Sequence, residues 1–161
     1  MEVLTAQAAE VLRKIKYATL ATVTDTGEPW NTPVAHWLDP ELNFYWASDQ
    51  QNQHSKNIRG LGKVFIVVYD STAPDGEGFG VYLNCEVQEL TTVEDVVAAR
   101  SQDGDDSEDG FNFTGGAIRR VYKATPQQVW VNDAEEKDGE FLRDFRIELN
   151  LSELAAAYQD L

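Results

Sequence analysis

Short apolar, β-branched and aromatic stretches, each closed by a turn signal, set the strongest limit on what this chain can fold into. YATLATVT (17–24) and PWNTPVAHWL (29–38) flank the turn DTGE (25–28), the spacing of a β-hairpin. A second turn at Asp39-Pro40-Glu41 leads into NFYWAS (43–48), so these three segments read as an antiparallel meander. KVFIVVYD (63–70) is almost wholly apolar and predicts a central strand buried on both faces. FGVYLNCEVQEL (79–90) alternates apolar with polar residues, the mark of a strand with one wet face. Further strands are expected at AIRRVYKAT (117–125), QQVWVND (127–133) and FLRDFRIEL (141–149), the last two joined through AEEKDGE. Short strands with regular turns describe a mainly β, α+β domain, a closed or nearly closed antiparallel barrel, and not alternating α/β units.

A few short helices flank these strands. Leu4, Ala8, Val11 and Ile15 recur at helical spacing behind Thr5, which predicts a helix over 5–16. A second is expected from Asn52 to Arg59, closed by Gly60; a third opens with the capping box Thr92-Val93-Glu94-Asp95; a fourth covers 150–158. DGDDSEDG (103–110) has no apolar residue and reads as a mobile, solvated loop. Asp103, Asp105 and Glu108 have calcium-like spacing, but the twelve-residue ligand pattern ending in a bidentate glutamate is missing, so no metal site is assigned. The 161 residues fit one domain with its own core, 1–161.

Charge narrows the function. Against 28 Asp and Glu stand 13 Lys and Arg, a formal net charge of -15, which repels nucleic acid and anionic lipid. Such a surface suits a high-salt cytoplasm or an ordinary one equally. No run approaches the ~18 apolar residues of a membrane span, and the N-terminus lacks the basic and apolar blocks of a leader, so a cytoplasmic protein is expected. Cys85 stands alone and reads as a small buried hydrophobe.

One segment opposes the global charge. Lys56, Arg59 and Lys63 fall close together, with His54 and Ser55 beside them, where a strand passes into a helix. Unpaired N–H groups and the helix dipole make such a junction a seat for phosphate, with Ser55, Lys56 and His54 as donors. The same residues also suit a solvated surface helix. Upstream, Trp30, Trp37, Phe44, Tyr45 and Trp46 crowd two strands, either as core or as a surface for a flat heteroaromatic ligand.

Taken in order, YATLATVTDTGEPWNTPVAHW, FYWASDQQNQHSKNI, a buried strand and GVYLNCEVQEL resemble the pyridoxamine 5'-phosphate oxidase-like family of FMN-binding split barrels, over residues 5–150. The resemblance implies a six-stranded antiparallel split β-barrel with FMN at the interface of a homodimer. It assigns Pro33, Val34, Ala35 and His36 to the flavin ring, Trp46, Ala47 and Ser48 to the ribityl chain and phosphate, and His54, Ser55 and Lys56 to the phosphate. Trp130 matches an aromatic residue that crosses the dimer, and Arg143, or equally Arg146, matches a late arginine.

Departures bear on the reaction. Asn31 and His36 stand where the oxidase carries arginine and lysine, and Gly80 or a neighbour replaces a glutamine, which argues against a vitamin B6 substrate. The expectation is therefore an FMN-dependent oxidoreductase with a small-molecule substrate or nicotinamide reductant, its catalytic residues unassigned. His36 either tunes the flavin or serves as a hydrogen-bonded strand histidine. Alternatives are a flavin-binding or stress-related module without turnover, an F420 binder, for which the chain lacks basic residues, or a haem binder, for which only His36 and His54 offer an axial ligand.

Overall fold

In the computed structural model, residues 1–105, 107 and 109–161 are described. The strands are β1 (Tyr17–Val23), β2 (Pro29–Ala35), β3 (Trp37–Leu38), β4 (Phe44–Asp49), β5 (Lys63–Tyr69), β6 (Gly80–Glu89), β7 (Arg119–Lys137) and β8 (Glu140–Leu149). Four helices, α1 (Glu2–Lys14), α2 (Gln53–Leu61), α3 (Val93–Ser101) and α4 (Leu151–Gln159), flank one antiparallel sheet in the order β2-β1-β5-β6-β7-β4-β3, with β8 on β7. The mainly antiparallel class expected from the turn pattern is what forms, with eight strands among the described residues where the resemblance implies six: the 29–38 segment divides into β2 and β3, and the segments at 117–125 and 127–133 join as β7.

β7 organises the molecule. Its first part pairs with β4, its middle with β6 and its last part with β8. The sequence suggests two strands here because Pro126 cannot donate to a ladder. In the structure Pro126 lies opposite Cys85 at a register shift, so a bulge absorbs the missing donor and the strand runs on to Lys137. It then turns tightly at Asp138 (φ 55°) and Gly139 (φ 80°) into β8, where left-handed backbone suits a two-residue hairpin loop.

The expected meander also breaks. β2 pairs with β1 and β3 with β4, but β2 and β4 do not pair. β2 and β3 are instead the two ends of the sheet order, joined only by His36, so the sheet closes on itself covalently while its edges stay apart. β5 is buried on one face only: Val64, Ile66 and Val68 face the core, while Tyr69 is 47% exposed. Helix bounds shift as well. α1 begins at Glu2, with the Thr5 hydroxyl donating to the Met1 carbonyl, and α2 runs on to Leu61 and ends at the left-handed Gly62 (φ 67°), not Gly60.

Leu20, Ile66, Leu83, Phe44, Trp46 and Tyr122 fill the inner face, covered by Ala8, Ala9 and Leu12 of α1 and Leu154 of α4. Burying each large side chain contributes about 1.5 to 3 kcal/mol. A smaller core under α3 joins Tyr45, Leu90, Val96, Ala99, Phe113 and Val121, and α3 carries the Thr92 cap its sequence promised. In the acidic loop, Asp105 and Asp109 both pair with Arg100, while Glu108, one of the three calcium-spaced residues, lies outside the described residues.

Candidate functional site

A cleft of about 340 Å³ opens where the sheet fails to close, lined by Pro33, Val34, Ala35 and His36 on one side and Ala47 and Ser48 on the other. These six are sequence-expected residues that two remote strand segments bring together. Trp37, Asp103 and Arg119 complete the wall. β2 is an edge strand, so one side of its backbone has no strand partner, and Pro33 is tolerated there for the same reason. Arg119 has no carboxylate within salt-bridge distance among the described residues. Sequence reasoning missed it, although the doublet Arg119-Arg120 held the signal: in a strand one of two neighbours faces out and the other in. Arg120 faces in, buried, with its Nε donating to Glu89 at 3.0 Å.

His36 is half-buried with its ring 5.1 Å from that of Phe44. Burial lowers its pKa to about 4, outweighing a contact with the Lys16 backbone that acts the other way. It is therefore neutral near pH 7, and its Nδ1 is a buried atom without a hydrogen-bond partner among the described residues. Trp46 turns away from the cleft into the core, stacked on Tyr122 at 5.5 Å.

At the start of α2 the expected donors divide. Ser55 is fully buried and donates its hydroxyl to the Asp49 carbonyl at 2.9 Å. His54 is 2% exposed, its pKa lowered by burial and its Nε2 unpartnered among the described residues. Lys56 is exposed, and the N-cap Asn52 makes no side-chain cap, which leaves first-turn N–H groups without that partner. Arg59 is engaged: Glu89 lies between it (3.2 Å) and Arg120, while the Tyr122 hydroxyl donates to Glu89 at 3.3 Å.

Trp130 sits on the outer face of the sheet, its ring 6.3 Å from Phe65. Arg143 lies further out on β8, paired with Glu135 at 2.8 Å, whereas Arg146 rests over Tyr82 at 4.1 Å and Phe65 at 5.8 Å. Of the two late arginines, Arg146 shares the aromatic face with Trp130.

Residues 4–133 match the family model for pyridoxamine 5'-phosphate oxidase. The chain belongs to this family. No curated protein matches the sequence. Among solved structures, a heme binding protein from Mycobacterium smegmatis is similar at TM-score 0.69 and 18% identity, over 95% of this chain and 60% of that one. A Clostridium acetobutylicum protein related to general stress protein 26, of the pyridoxinephosphate oxidase family, has TM-score 0.64 and 10% identity, over 96% and 99%. A FAD-binding protein from Mesorhizobium loti has TM-score 0.59 and 18% identity, over 78% and 91%. At such identities the likeness is one of fold, so this member of the pyridoxamine 5'-phosphate oxidase family shares its split barrel with proteins that bind different prosthetic groups. Its family match ends at residue 133, before the β7–β8 turn.

Proposed function

We propose that this protein is a homodimeric flavoprotein that holds FMN in the cleft between β2 and β4 and acts as an oxidoreductase on a small molecule. The observation that carries the reading is the cleft itself, in which the strand expected to follow the flavin ring, 33–36, meets the segment expected near the ribityl chain, 47–48. Three features of the chain fit such a group. The open edge of β2 offers backbone donors and acceptors, Arg119 offers a planar cation suited to phosphate, and α2 begins without a side-chain cap and with Lys56 exposed in its first turn.

Bound FMN supplies hydride or electron transfer, which leaves the protein to bind, orient and tune. Val34 and Ala35 present backbone along the cleft wall, and Arg119 and Lys56 offset the negative charge of a phosphate. His36, neutral at pH 7, takes part as a hydrogen-bonding group and not as a fixed positive charge. The half-exposed apolar outer face of β5, β6 and β7, with Phe65, Val67, Tyr82 and Trp130, supports a second copy as its cover.

A haem reading has one observation in its favour: His36, a ligand-type side chain, lies on the cleft wall. His54 is buried with its Nε2 enclosed, which weighs against it as an axial ligand without rearrangement. Titration of the protein with FMN, following loss of flavin fluorescence, with native mass spectrometry of the product, tests the proposal. One FMN per chain in a dimer is expected. A protein that ignores FMN but develops a Soret band with haemin overturns the flavin reading.

A further inference from the structure

A second cavity, of about 280 Å³, lies beside α3 and shares no lining residue with the cleft between β2 and β4. One cross-strand row forms part of its wall: Tyr45 of β4 lies opposite Lys123 of β7, which lies opposite Gln88 of β6. Asp95 and Gln102 come from α3 and its C-cap, and Asp39 and Glu41 from the turn before β4. Asp39 is buried and saturated. One of its oxygens accepts from the backbone N–H groups of Glu41 (3.1 Å) and Asn43 (2.8 Å), the other from the side chains of Asn43 (2.8 Å) and Tyr45 (2.9 Å). Asp95 accepts the Thr92 hydroxyl on one oxygen at 2.6 Å. Its other oxygen and the exposed carboxylate of Glu41 have no side-chain donor among the described residues.

Lys123 is half-buried, its ammonium 5.8 Å from the centre of the Tyr45 ring. No carboxylate stands within 4.0 Å of it among the described residues, although Glu41 and Asp95 line the same cavity. Flexible side chains of opposite charge close on each other where nothing separates them, as Arg143 and Glu135 do at 2.8 Å on the exposed hairpin. Here the strand row and α3 hold the charges apart across open space, so a ligand bearing both signs completes both walls with charge-assisted hydrogen bonds. Two open carboxylates face one ammonium, which calls for a ligand with one carboxylate and two cationic groups. Pockets for drug-sized ligands begin at ~300 Å³, so the occupant is a small metabolite. Leu90, Ala98 and Ala99 offer apolar surface to a methylene stem.

We propose that this cavity binds a basic α-amino acid. Its carboxylate meets Lys123, and its α-ammonium and side-chain cation meet Glu41 and Asp95. The methylene stem lies along Leu90 and Ala98. The proposal does not rest on the flavin reading, because none of these residues lines the cleft.

Calorimetric titration of the full-length protein with L-lysine, L-ornithine and L-arginine tests it, beside three compounds that each lack one group of lysine: cadaverine the carboxylate, ε-aminocaproate the α-ammonium, and L-norleucine the side-chain cation. The expected result is saturable binding of a basic amino acid, one per chain, about tenfold or more tighter than each of the three, the loss of one charge-assisted hydrogen bond apiece. Lys123→Gln should abolish the preference for L-lysine over cadaverine, and Glu41→Gln should weaken L-lysine about tenfold with the circular dichroism spectrum unchanged. Absence of binding by all three amino acids overturns the proposal. So does equal binding of cadaverine or L-norleucine, or an unaltered preference in Lys123→Gln. If that variant does not fold, the three compounds on the parent protein still decide. Whether FMN binds has no bearing on these titrations, so the flavin reading and this one fail separately.

Discussion

His36 ties the cleft to stability through pH. Its folded pKa of about 4 lies below the 6.5 of an exposed histidine, so between these values the unfolded chain holds a proton that the folded chain does not. Stability from this site is full above pH 6.5 and is lost as pH falls towards 4; His54, lowered in the same direction, adds to the slope. Urea unfolding at a series of pH values should show a flatter decline over that window for His36→Gln than for the parent. At the cleft's other wall, Arg119→Ala is expected to weaken FMN by about 1 to 3 kcal/mol, the range for a charge-assisted hydrogen bond, read from fluorescence titration. The family resemblance named six of the residues that line the cleft, but not Trp37, Asp103 or Arg119 as part of it. A doublet of arginines looks symmetric until register makes one of them a partner of Glu89 and turns the other into the cleft.

Among the elements, α2 and β7 are held together by Glu89, which accepts from Arg59, Arg120 and Tyr122. Removing that carboxylate leaves the buried Arg120 without its counter-charge, so Glu89→Ala should cost about 2 to 4 kcal/mol in denaturant unfolding. Glu135→Ala, at the exposed pair with Arg143, should cost under about 1 kcal/mol. The same contrast shows why some elements were legible and others were not. The cap at Thr92, the hairpin at 25–28 and the alternation of β6 are local patterns and were read from sequence. The continuity of β7 through Pro126 depends on a bulge against β6, remote in sequence, and the one-sided burial of β5 depends on what covers its outer face.

Across the whole molecule, a net charge of -15 repels itself in the compact state, so thermal unfolding should move upward as salt is raised from about 0.01 M to 0.5 M and the screening length shrinks. A midpoint that falls with added salt would show that attractive pairs such as Arg59–Glu89 outweigh the repulsion. No described helix is long and apolar enough to cross a membrane. By itself the sequence determined the β-rich class, most of the turns and caps, the acid surplus and the family, because hydrophobic period and turn chemistry act over a few neighbouring residues. Only the tertiary structure decided that β2 and β3 end the sheet on either side of His36, that 33–36 face 47–48 across a cleft, and that Arg119 and Arg146 lack a carboxylate partner among the described residues. Those outcomes depend on strand order and register, which are fixed by burying residues far apart in the chain against one another.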